Sequence, residues 1–255
     1  MDFSKSCFYD DPSFDYQKYW QGREYEDLAE KQLLKKIILS LTNKESILDI
    51  GGGFGRLTPV YAPFFKKCFI LDPSQKLLNQ AKKLTKEYPN LFLKRGVVEK
   101  IPFPDSFFQV VLCIRTFHHL TDVSCAIKEI YRVLKPQGFL ILEFANKIRF
   151  KNILKAIFTL NFDFFTNHLP ENISSQKEIP FISYHPNQIK TLLLSNGFII
   201  KKTFSVSNFR HPLLKKIIPL NILLKMEEGV AFLSAKLKIL TFFGPSIFII
   251  AQKKK

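Results

Sequence analysis

The sequence predicts an α/β fold built on a doubly wound, mostly parallel sheet, and three observations predict it. Short apolar runs alternate with longer amphipathic segments about every 20–30 residues, the pattern of strands joined by crossover helices. The first clear run, Ile47 to Ile50, passes directly into Gly51, Gly53 and Gly55. Such a turn lets the backbone take positive φ and lets a ligand approach without meeting a Cβ. Acidic residues, Asp49 and Asp72, close the first two runs and would share the carboxyl edge of the sheet, where open α/β sheets bind ligands.

Taken in order, residues 1–20 are aromatic and acidic without a clean period and read as a packed-down arm. From Tyr25 the apolar positions Leu28, Leu33, Leu34, Ile37, Ile38 and Leu41 follow one helical face and end near Asn43. The glycine strand comes next, and Arg56 to Phe65 reads as a helix whose N-terminal end would face the loop. Cys68 to Leu71 is the second strand, Gln75 to Thr85 a helix opened by Ser74, and Leu91 to Lys94 a third short strand. Strand four spans Val110 to Ile114; His118 and His119 follow it, then a helix burying Ala126, Ile130, Val133 and Leu134. Pro136 and Gly138 stop that helix ahead of a fifth strand, Phe139 to Phe144. Residues 147–182 break the pattern with many phenylalanines and read as a lid over the ligand edge. A helix from Pro186 to Asn196, a sixth strand from Phe198 to Phe204, an amphipathic insert over 210–242 and a last strand, Ile247 to Ala251, complete the chain.

At 255 residues and 46% hydrophobic the chain can bury a large core. No run of about 18 uncharged apolar residues occurs, and the N-terminus lacks a basic-then-apolar leader, so a cytoplasmic protein is expected. Cys7, Cys68, Cys113 and Cys125 show no C-x-x-C spacing, which predicts reduced thiols and no metal site. The net charge of +16 is unevenly spread: residues 1–30 carry eight acids and three bases, residues 147–255 five acids and 17 bases. The lysines do not interleave with aromatics in an RNA-binding motif, so no nucleic-acid partner is expected. A basic, apolar insert also allows peripheral contact with a membrane surface.

Several stretches carry a family resemblance. Asp49 followed by Gly51-x-Gly53-x-Gly55 resembles the first motif of the class I S-adenosylmethionine-dependent methyltransferases; a dinucleotide fingerprint would need its third glycine where Arg56 stands. Residues 101–108 (IPFPDSFF) and 132–138 (RVLKPQG) resemble two later motifs of that family. Leu142-Glu143-Phe144 and residues 185–198 (HPNQIKTLLLSNGF) are similar to the ubiquinone/menaquinone C-methyltransferases in particular. The resemblance implies a Rossmann-like seven-stranded sheet and lapses after the sixth strand; with the helical insertions read above after strands five and six, one domain is expected: arm and cap helix 1–44, cofactor core 45–146, lid 147–182, and a C-terminal part 183–255 with the insert 210–242.

It further implies S-adenosylmethionine as cofactor. Asp49 with Gly51, Gly52, Gly53 and Gly55 would hold the methionine end, and Asp72 beside Pro73 the ribose. Val97, Val98 and Glu99 would border adenine, and Ile114 with Arg115 the sulfonium side. Val97 departs from the family, which usually places there an Asp that accepts from the adenine amino group. His118 is the candidate base; Tyr25, His119 and Tyr184 are candidates for contact with a small-molecule acceptor. The Phe-rich lid favours an apolar or aromatic acceptor, with an RNA methyltransferase using the basic C-terminal half, or a SAM-binding protein without catalysis, as alternatives. The oligomeric state is left open.

Overall fold

The computed structural model describes residues 8–11, 13–120, 122–174, 180–237, 240 and 244–255. Helix α1, Glu24–Ser40, leads into strand β1, Ser46–Ile50. Helix α2, Thr58–Tyr61, precedes β2, Lys67–Asp72; α3, Gln75–Ala81, and α4, Leu84–Glu87, precede β3, Leu91–Arg95. Strand β4, Phe108–Cys113, α5, Val123–Val133, and β5, Leu134–Asn146, follow. The lid region holds α6, Phe150–Phe158, α7, Asp163–Thr166, and two short strands, β6, Glu171–Asn172, and β7, Ile182–Tyr184. Helix α8, Pro186–Ser195, β8, Phe198–Val206, α9, Pro212–Ile217, α10, Leu220–Lys236, and β9, Ser246–Lys253, close the chain.

The main sheet runs β3-β2-β1-β4-β5-β9-β8, parallel through β5, with β9 antiparallel to both neighbours. This is the Rossmann-like seven-stranded sheet, and α9 and α10 interrupt its last hairpin as expected. The short pair β7 and β6 adds to the far end of β5 through Ala145↔Ser183 and Asn146↔Tyr184. Alternation inside the buried strands feeds two cores. Leu48 and Ile50 face α5 and α8 through Ala126, Ile130 and Ile189. Ile47 faces the other way, onto Leu34, Ile38, Tyr61 and Leu78. Removing a buried Ile or Leu such as Ile38 would cost about 2–5 kcal/mol as Ala.

Two boundaries differ from the sequence reading. The helix expected over 56–65 shrinks to α2 and a 3-10 turn at Ala62–Phe64. Pro63 has no N–H to give and its ring opposes continuation, so the segment cannot run as one helix. Strand β5 begins at Leu134, straight after α5, and passes through Gln137 at φ 63° rather than starting at Phe139. Cys68 and Cys113 are buried thiols inside β2 and β4, Cys125 is a free thiol on α5, and Cys7 lies outside the described residues. Among the described residues no helix is long and apolar enough to cross a membrane.

Candidate functional site

The carboxyl ends of β1 and β2 bring two acidic side chains under one loop. Asp49 and Asp72 are 2% and 5% exposed. After Ile50 the chain turns through positive φ at Gly51, Gly53 and Gly55 (67°, 53° and 81°). A Cβ on Gly51 would stand 2.0 Å from Thr116 Oγ1, and that hydroxyl donates to the Ile50 carbonyl (3.2 Å), so the loop after β4 closes on the glycine turn. Only glycine leaves that space. Gly53 N–H donates to Asp72 Oδ2 (2.9 Å) and Ser74 N–H to Oδ1 (2.8 Å). Each oxygen keeps a further lone pair, so Asp72 can still accept from two hydroxyls.

Asp49 Oδ2 has no hydrogen-bond partner among the described residues. Burial pushes Asp49 up to about 7, against a hydrogen bond from Tyr61 and the charge of Arg56. Asp72 rises to about 6 by burial, against the bonds from Ser74 and Gly53. Two buried acceptors at a sheet edge, one of them unsatisfied, suit a ligand that brings ammonium and hydroxyl donors. These residues fit S-adenosylmethionine.

The neighbouring strand ends complete the rim. Gly96 N–H donates to the Asp72 carbonyl (3.1 Å), which sets buried Val98 and half-buried Val97 and Glu99 beside it; Pro73 accepts from Arg95 Nε (3.0 Å). Past β4, Ile114 is buried and Arg115 takes φ 61°, its N–H donating to Glu143 Oε2 (2.9 Å). The expected cofactor residues therefore lie along the ends of β1 to β4.

The arm covers this edge. Asp10 Oδ1 accepts from Ser74 Oγ (2.6 Å) and Lys76 N–H (3.0 Å). Tyr16 meets Phe54 edge-on at 5.9 Å, and desolvation pushes its phenol up to about 12. Trp20 lies over Arg56 at 3.9 Å and Arg115 at 5.6 Å. Beneath them the buried Glu30 of α1 accepts from Arg56 Nη2 (2.7 Å) and from Arg115.

His118, 4% exposed, lines a polar recess of about 40 Å3 with Arg115, Glu143, Asn152, Arg149 and Arg210. Its ring packs on Phe181 (4.2 Å), its Nδ1 has no partner among the described residues, and burial holds its pKa well below 6.5. His119 Nδ1 donates to the Pro180 carbonyl (2.8 Å) and Nε2 accepts from the Tyr9 hydroxyl (3.0 Å), which ties lid to arm. Tyr184 is sealed in the core against Phe117, its hydroxyl 3.4 Å from the Leu120 carbonyl. Tyr25 is buried at the far side of α1, donating to Glu227 and accepting from Phe209 N–H (2.9 Å). Of the acceptor-side candidates, His118 lines the recess, and Tyr25, His119 and Tyr184 do not. Of the lid's apolar side chains, Ile173 and Phe181 line it, whereas Phe158 is 83% exposed. Thr116, Glu30, Trp20, Arg149 and Arg210 carried no local sequence signal, because their partners lie far away in the chain.

A family profile described as "Methyltransferase domain" matches residues 48–142. The chain is 33% identical over 98 residues to the uncharacterized methyltransferase YcgJ of Bacillus subtilis, 38% of this chain and 39% of that protein. It is 30% identical over 173 residues to the ubiquinone/menaquinone biosynthesis C-methyltransferase UbiE of Neisseria meningitidis, 62% of this chain and 68% of that one. The chain thus spans about two fifths of the length of several matched relatives, the Bacillus protein among them, and two thirds of UbiE. Among solved structures, a S-adenosylmethionine-dependent methyltransferase from Listeria monocytogenes superposes with TM-score 0.65 at 20% identity, over 91% of this chain and 100% of that chain, a likeness of fold.

Proposed function

Because this chain belongs to the class I S-adenosylmethionine-dependent methyltransferases, we propose that it transfers a methyl group from S-adenosylmethionine to a small acceptor lodged in the recess beside His118. The observation that carries this reading is the pair of buried acceptors under the glycine loop, with Asp49 Oδ2 unsatisfied. Asp72 would accept from the ribose hydroxyls, Asp49 and the loop N–H groups would take the methionine end, and Gly96 to Val98 would border adenine. When bound, S-adenosylmethionine supplies an electrophilic methyl group together with its own leaving group. What remains for the chain is to align the acceptor, exclude water and receive a proton. The arm residues Tyr16 and Trp20 do the excluding. Neutral His118, whose buried Nδ1 has no partner among the described residues, would take the proton that the acceptor loses as the new bond to carbon forms.

Isothermal titration tests the reading. Both S-adenosylmethionine and S-adenosylhomocysteine should bind, and Asp72→Ala should weaken both by about 10- to 100-fold, the worth of hydrogen bonds to a charged group at about 1.5–3 kcal/mol. No heat with either ligand on folded protein would sink it. A second feature supports contact with an anionic membrane surface: Phe158, Leu160 and Ile217 stand exposed beside exposed Lys151, Lys155 and Lys216 on α6, its trailing turn and α9.

A further inference from the structure

The recess beside His118 is charged in a way that methyl transfer alone does not explain. Arg149, ahead of α6, and Arg210, ahead of α9, both line it. Among the described residues Arg149 makes one bond, from Nε to Asn152 Oδ1 (3.3 Å), which leaves both terminal nitrogens. Arg210 makes no hydrogen bond or ion pair with a described residue. Among the described residues, the carboxylates nearby are committed elsewhere. Glu26 is paired with Lys215 (3.1 Å), Glu30 holds Arg56 and Arg115, and Glu143 takes the Arg115 N–H.

Other polar groups of the wall are also satisfied internally. Asn152 Nδ2 donates to the Lys147 carbonyl (2.8 Å), Asn146 Nδ2 to the Gly244 carbonyl (2.8 Å), and Ser183 Oγ to the Glu171 carbonyl (3.2 Å). Among the described residues, the terminal nitrogens of Arg149 and the guanidinium of Arg210 are left without a partner on this wall, and His118 Nδ1 is a buried nitrogen without one. Burial, and then repulsion from Arg149 and Arg115, lowers Arg210 to about 10. Unpaired cations brought together out of water are costly unless an anion joins them.

We propose that this recess binds the carboxylate of the methyl acceptor between Arg149 and Arg210, so that the acceptor is a small organic acid. With Arg115 paired to Glu30, Arg149 and Arg210 against the one carboxylate of Glu143 leave a single net positive charge, which matches a monoanion. A volume of about 40 Å3 admits a head group rather than a whole ring system. The guanidinium forks match a carboxylate in geometry. Ile173 and Phe181, also in the wall, offer the apolar surface along which the body of the acid lies. The proposal rests on the methyltransferase reading for the identity of the ligand, but the carboxylate site can be probed separately.

The test compares benzoate with benzamide, of nearly the same shape but uncharged, by ligand-observed NMR on protein saturated with S-adenosylhomocysteine. Benzoate should bind about tenfold or more tightly than benzamide, as expected of a charge-assisted pair. Arg210→Gln and Arg149→Gln should each cut that preference, and the double variant should abolish it, while affinity for S-adenosylhomocysteine stays within about twofold and reports that the fold is intact. Equal binding of acid and amide by the wild type, or a preference that survives in the double variant, overturns the proposal. Loss of S-adenosylhomocysteine binding with the benzoate preference intact would instead overturn the methyltransferase reading and leave the carboxylate site standing.

Discussion

Asp49 and Asp72 show how one residue type serves opposite ends at one edge. Both carboxyls titrate well above the ordinary value of about 3.9, at about 7 and about 6, with burial the leading cause. The folded protein therefore holds these protons more tightly than the unfolded chain does. Their contribution to stability is complete below about pH 4 and is lost as pH rises through 6 and 7. Ligand binding runs the other way, since only the ionised forms serve as full acceptors. Asp49→Asn, which imitates the neutral acid, should raise the melting temperature of the free protein at pH 8, change it little at pH 5, and weaken S-adenosylhomocysteine binding at pH 8. A thermal-shift series at the two pH values, with titration of the ligand at pH 8, checks this; an equal fall in melting temperature at both would show that the side chain is needed for packing instead. Asp49, Asp72 and the glycines were legible in the sequence because strand, turn and acid are contiguous. Arg149 and Arg210 were not, because 61 positions separate them and neither sits in a periodic pattern.

At the scale of elements, the arm is the part whose role the sequence least revealed. Its aromatics have no period because the described residues of 8–20 form two 3-10 turns and no longer helix, and the rings, packed on one another, also reach separate partners: Tyr9 to His119, Tyr16 to Phe54, Trp20 to Arg56. The helix expected over 56–65 failed for a local reason, the proline at 63, and the loop has only the short α2 behind it. The arm therefore does more of the covering than a helix end does. Trp20→Ala removes a cation–π contact worth about 0.5–2 kcal/mol and opens the roof over Arg56 and Arg115. In stopped-flow measurements S-adenosylhomocysteine should leave the variant several times faster, with the melting temperature lowered by only a few degrees. An unchanged dissociation rate would mean that the arm does not cover the cofactor.

For the whole molecule, the uneven charge and the exposed apolar crests belong to one question. The strands and their order were readable from apolar runs and turns, but which face of each insert looks outward depends on packing that no local pattern encodes. Helix α10 buries Leu223, Leu224 and Ala231 against the sheet and α1, whereas α6 buries little beyond Ala156, and Phe158 at its end and Leu160 in the turn after it stand in water. Arg149 and Arg210 place the starts of α6 and α9 on the same recess. Exposed apolar residues with lysines between them favour an anionic bilayer, where each lysine near the surface contributes about 1 kcal/mol. Co-sedimentation with vesicles should increase with the fraction of anionic lipid, decrease with salt, and drop sharply for a Phe158→Ser, Leu160→Ser variant that still binds S-adenosylhomocysteine. If the wild type stays in the supernatant at every lipid composition, the crests do not meet a membrane and the acceptor reaches the recess from water.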